Sequence, residues 1–134
     1  LDLSSDARYG AYVGVAGMAI TLEHLRDVEL STATNEEEWE DYLRYLSKFL
    51  RETGGESVLL TLSPWGIWDV TAEGVFKCTR PIASIGSGDD IALGAMSVAL
   101  SNPLWTPRSV VNKGLVQACK LAPGCGEPIT IYTL

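Results

Sequence analysis

Basic residues are scarce in this chain. Ten Lys and Arg stand against seventeen Asp and Glu, and the net charge of −7 leaves no clustered cationic surface for a phosphate backbone. A nucleic-acid partner is excluded on that ground. Histidine occurs once, as His24 between Glu23 and Leu25. Any Ser/His or Cys/His catalytic pair would have to use it, and its place inside a helical pattern argues against that role. Cys78, Cys119 and Cys125 are odd in number and carry neither a Cys-x-x-Cys nor a Cys/His ligand spacing, so no metal site or disulfide framework is read from them. Reduced thiols in a cytoplasm are the expectation. A Cys119–Cys125 disulfide stays open, because spacing does not report the geometry such a bond needs. No apolar run approaches the roughly 20 residues that span a bilayer, and Leu1 to Tyr9 lacks a basic region followed by an apolar stretch. A membrane partner is not expected. Repeats, linkers and low-complexity tracts are also missing.

What is present is a 134-residue chain with 46% hydrophobic content, enough for one domain, residues 1–134, with a modest core. Ala7 to Val15 reads as a strand running into a turn at Gly14-Val15-Ala16-Gly17. Met18, Leu22, Leu25 and Val28 then recur at helical spacing. Asn35 is placed to cap a second helix that opens on Glu36, Glu37 and Glu38, carries the stripe Trp39, Tyr42, Leu43, Leu46, Phe49 and Leu50, and stops near Glu52 before Gly54-Gly55. The run Ser57 to Leu62 predicts a central strand buried on both faces. Ile67 to Val70 and Val75 to Thr79 follow it in an antiparallel meander, with turns at Pro64-Trp65-Gly66 and Ala72-Glu73-Gly74. Trp65 and Trp68 flank the first turn and are read as hairpin packing before contact surface.

Ile82 to Ile85 predicts a further strand, leading through Gly86-Ser87-Gly88 into a helix that begins at Asp89-Asp90. Thr106-Pro107 opens a last helix, with Thr as cap and Pro at its first position, running to about Cys119. Pro123-Gly124-Cys125-Gly126 breaks it, and Ile129 to Leu134 predicts a closing strand. Taken alone, Gly86-Ser87-Gly88 is a tight turn. It lacks the Lys-Ser/Thr ending of a phosphate loop and the spaced third glycine of a dinucleotide fingerprint, so no cofactor is expected. Periodicity by itself gives a layered α+β domain.

Three stretches carry a resemblance that covers essentially the whole chain: Val13-Gly14-Val15-Ala16-Gly17 before a helix, Ile85 to Met96 at a strand-to-helix turn, and Ile129 to Thr133 at the end. They resemble proteasome β-subunits and HslV-like peptidases, the N-terminal-nucleophile hydrolases. The Pro123-to-Gly126 turn after two helices is most similar to a small phage- and prophage-encoded HslV-like subgroup. The resemblance implies a four-layer α-β-β-α sandwich. It also implies a threonine-type peptidase, in which an N-terminal threonine attacks the amide carbonyl and its own amine acts as base. Gly14 matches the glycine whose N–H stabilises the oxyanion, and Ser87 matches the serine that hydrogen-bonds the nucleophile's amine. The two should therefore converge at one end of the sheets.

The sequence departs from the pattern in two places. Leu1 and Asp2 cannot act as the nucleophile, so the nucleophile segment is expected upstream of Leu1 and the chain as given should be inert, with an open sheet edge or groove. Pro128 stands where the family has a carboxylate, with Glu127 one residue away. The resemblance implies like subunits in a ring as partners and a polypeptide substrate if active; the location expected from the thiols is the cytoplasm, or the virion if the chain is phage-encoded. The alternative is a non-catalytic assembly subunit, for example in a phage particle.

Overall fold

A computed structural model describes residues 2, 10–17, 19–53 and 56–133. It divides into two compact units, Leu1–Pro81 and Ile82–Thr133.

The first unit is an antiparallel sheet with helices. Strand β1 (Tyr12–Ala16) leads to helix α1 (Ala19–Leu25) and helix α2 (Glu36–Glu52). The meander β2 (Val58–Ser63), β3 (Gly66–Thr71) and β4 (Gly74–Lys77) completes it, and the spatial order is β1-β2-β3-β4. α2 forms for the reasons its sequence states. The Asn35 side chain accepts from Glu38 N at 2.9 Å, and the Glu38 carboxylate accepts from Thr34 N at 2.8 Å, so first-turn donors and the residue before the cap are both satisfied. Trp39, Leu43, Leu46 and Leu50 are each at most 1% exposed. They pack on the sheet face that carries Val13, Leu59, Trp68 and Val70, which makes one continuous core.

The register decides which residues share a face. Val13, Thr61 and Trp68 lie in one row and Val15, Leu59 and Val70 in another, both on the core face. Gly14, Leu60, Asp69 and Phe76 form a row on the opposite face. β2 is interior to the sheet, as its apolar run predicts, but only one of its faces is buried. Leu59, Thr61 and Ser63 are inaccessible while Leu62 is 39% exposed. A continuous apolar run cannot distinguish these cases, because Thr61 fits a core position by donating its hydroxyl to Trp68 O.

The second unit is a helix pair. Helix α3 (Asp89–Leu100) and helix α4 (Pro107–Leu121) pack with Ala92, Met96, Ala99, Val110 and Ala118 buried, and Ile82 joins the same cluster. Thr106 caps α4 by accepting from Ser109 N at 3.2 Å, with Pro107 in the first turn. Gly114 allows the close approach. A β-carbon there would lie 2.6 Å from Met96 Cγ and 2.9 Å from Ala92 O.

Several boundaries differ from expectation. The turn placed at residues 14–17 is mostly strand: Gly14, Val15 and Ala16 pair with Leu60, Leu59 and Val58, and the chain breaks only at Gly17. α1 stops at Leu25, short of Val28, which is buried beyond the helix end. Ile82–Ile85 is not a strand. Ile82 packs into the helix-pair core instead, and no ladder partner exists for the segment among the described residues. Residues 129–133 alternate half-buried Ile129 and Ile131 with exposed Thr130 and Tyr132, yet they too form no strand. The described residues thus hold one sheet, whereas a four-layer sandwich needs two. Ala7 to Tyr9, Met18, Gly54, Gly55 and Leu134, on which other expectations fall, lie outside the described residues.

Candidate functional site

The β1–α1 corner carries the first predicted site residue. Gly14 sits in the middle of β1, exposed, on the sheet face opposite α2. Its backbone is not in the left-handed region, and among the described residues a β-carbon added to it would meet nothing closer than Leu60 O at 3.9 Å. None of the described neighbours therefore requires glycine at position 14. Gly17 is different. Its φ is +126°, and a β-carbon there would fall 2.8 Å from both Ser57 Cα and Ser57 Oγ. Directly beneath, the Thr21 and Ser57 hydroxyls share a buried hydrogen bond of 2.7 Å, which ties the start of α1 to the residue before β2. Gly14 is marked by the resemblance alone, whereas Gly17, the last residue of the expected 14–17 turn, is the one whose backbone and neighbours demand glycine.

Ser87 lies in the second unit, exposed, at the tip of the loop feeding α3. The loop is held from both sides. Asp89 N donates to Gly86 O at 3.2 Å, the Ser84 hydroxyl donates to Asp89 O at 2.7 Å, and the Cys125 thiol donates to Ser87 O at 2.9 Å. Gly88 is the N-cap of α3 with φ +83°, and a β-carbon on it would lie 2.9 Å from Ala122 Cβ and 2.9 Å from Cys125 Sγ. The Pro123–Gly126 turn thus buttresses the Gly-Ser-Gly loop, fixing the Ser87 backbone while its side chain faces outward. With Asp89 and Asp90 in the first turn, this helix start does not suit an anion.

Asp69 was not predicted. It sits in the Gly14 row, its Oδ1 is buried without a hydrogen-bond partner among the described residues, and burial pushes its carboxyl above the usual value of 3.8. Nearby Cys78 is raised by burial and by the Asp69 charge, with partial relief from an Asp69 backbone hydrogen bond. A polar residue in a strand otherwise read as apolar was the available signal. A raised folded pKa means that the fold favours the protonated acid. The cost of ionisation is absent below 3.8 and is fully felt once pH exceeds the folded pKa. Asp69→Val is therefore expected to stabilise the protein by about 1 kcal/mol at pH 7, since it removes an unpartnered acceptor. The gain should fade as pH falls towards 3.8. Thermal melts of both proteins across pH 3 to 8 check it. A gain that grows at low pH would contradict the assignment.

His24 is exposed on α1, its ring perpendicular to that of Phe49 with 6.5 Å between centroids. The three cysteines are free. No helix among the described residues is long and apolar enough to cross a membrane.

No family model matches the sequence, and no curated relative matches it. Among solved structures, Thiobacillus denitrificans BPH, a proteasome-like protein, is similar with a TM-score of 0.72 and 24% identity, over 88% of this chain and 71% of that one. The same protein in complex with epoxomicin, a proteasome inhibitor, gives a TM-score of 0.66 and 22% identity over the same shares. At that identity the likeness establishes the architecture: the chain has a proteasome-like fold.

Proposed function

We propose that this chain belongs to a proteasome- and HslV-like, threonine-type peptidase subunit, with Gly14 and Ser87 in supporting roles. The observation that carries this reading is the likeness to BPH, whose structure with epoxomicin gives the chemistry a probe. In this reading the sheet β1–β4 is one of two in a four-layer α-β-β-α sandwich. The Gly14 N–H faces the developing oxyanion, and the Ser87 hydroxyl holds the nucleophile's amine. The freedom of Gly14 from local steric need supports a role towards substrate, where a side chain would obstruct an approaching backbone. The nucleophile itself is assigned to no residue of this chain. The similarity of the Pro123–Gly126 turn to phage-encoded relatives points to a phage source for the subunit.

The test is covalent. The full-length gene product incubated with epoxomicin is expected to gain one inhibitor mass by intact-mass spectrometry. Ser87→Ala should slow adduct formation about tenfold, the loss of one hydrogen bond near 1.4 kcal/mol, without lowering the melting temperature. A folded full-length protein that never reacts would replace the peptidase reading with an assembly subunit. That second reading draws on the apolar side chains exposed on the helix pair, Val98 at 75%, Leu104 at 87% and Leu121 at 66%, which suit contacts with like subunits or particle proteins.

A further inference from the structure

We propose that the hollow between α2 and the β3–β4 hairpin binds an oxyanion, the carboxylate or phosphate group of a small ligand. The hollow has a volume of about 360 Å³, within the range of small-ligand sites. Arg44 and Arg51 reach it from α2 and Lys77 from β4, so three of the ten basic residues of an acidic chain converge on it. Their states differ. Arg44 pairs with Asp41 at 2.7 Å and with Glu40 at 3.5 Å, and Lys77 pairs with Glu36 while lying 5.0 Å from the Trp68 ring centroid. Arg51 has no ion pair among the described residues. Its Nε donates to Ala72 O at 3.0 Å, which fixes the guanidinium plane and leaves both terminal amino groups available.

That arrangement selects a ligand class. A guanidinium anchored through Nε presents a fork that matches two oxygens of a carboxylate or phosphate, and ordering it beforehand lowers the entropy lost on binding. The pairs holding Arg44 and Lys77 are exposed and therefore weak, so an entering oxyanion can exchange with them at small cost. Ser47 offers no further donor, because its hydroxyl already donates to Thr71 O at 2.6 Å. Glu40 is the one lining carboxylate and opposes an anion, which makes it an internal control.

The experiment titrates the chain with inorganic phosphate, and separately with succinate, at ionic strength held constant with sodium chloride, following the backbone amide resonances of Gly74 and Val75 and the Trp68 indole resonance, which line the hollow in every variant, by NMR. Saturable shifts with a millimolar Kd are expected, weakened about fivefold or more in Arg51→Gln and tightened in Glu40→Gln. Arg44→Gln, at an exposed position, gives a second folded variant in which binding weakens. A stronger response to succinate names a carboxylate ligand, and a stronger response to phosphate names a phosphate. Shifts that do not saturate, or that persist unchanged in both arginine variants, mark ionic screening only and overturn the site.

Discussion

Replacing Gly17 with alanine is expected to destabilise the Leu1–Pro81 unit by about 3 kcal/mol, a fall in melting temperature of roughly 15 °C for a unit of this size. Two costs add. A φ of +126° lies where a side chain clashes with its own backbone, worth about 1 to 2 kcal/mol. The new β-carbon would also sit 2.8 Å from Ser57 Cα and 3.2 Å from Glu56 O. Those are backbone atoms, which cannot swing aside as a side-chain end would, so the strand entry must shift and strain the buried Thr21–Ser57 hydrogen bond. Circular dichroism melts of the two proteins measure the loss. An unchanged melting temperature would mean that the corner is loose and does not position β1 against α1.

Gly14→Ala is the natural companion, three residues earlier. With ordinary space around the added carbon and no left-handed backbone, alanine should be neutral or stabilising by about 0.5 kcal/mol in a strand. If Gly14 serves an oxyanion, the same substitution slows epoxomicin capture while raising stability. Opposite signs in the two measurements separate a functional glycine from a structural one.

The two glycines also show what a sequence discloses. α2 was legible almost residue by residue, because its cap, acidic first turn and apolar stripe are local and agree with one another. The same holds for Thr106-Pro107 at the start of α4 and for the hairpin turns of the meander. What was not legible depends on partners far along the chain. Whether Ile82–Ile85 becomes a strand depends on a neighbouring strand to pair with, and its hydrophobicity serves a helix-pair core equally well. The exposure of Leu62 and the orphaned Asp69 oxygen follow from a register that no single segment encodes. Gly17 and Gly114 look like any other glycine until Ser57 and Met96 are brought against them. The candidate site divides the same way. The Gly86-Ser87-Gly88 motif could be read directly, whereas its anchoring by Cys125 could not.

That anchoring leads to the second large effect. Gly88→Ala is expected to cost the Ile82–Thr133 unit about 3 kcal/mol, enough to unfold much of a two-helix unit whose core is small. At φ +83° the backbone alone disfavours alanine, and its β-carbon would press on Ala122 Cβ and Cys125 Sγ, both at 2.9 Å. These contacts lock the end of α4 and the following turn against the start of α3, so relief in one direction compresses the other. Ala122→Gly in the same molecule removes one of the two contacts. The double variant should therefore recover about 1 kcal/mol of the loss, leaving the backbone strain and the thiol contact in place. Amide hydrogen exchange in α3 and α4 reads the change unit by unit: protection should drop across both helices in Gly88→Ala while α2 keeps its own. Equal loss in α2 would show that the two units unfold as one, and no loss in α3 would show that the loop yields without disturbing the helix it caps.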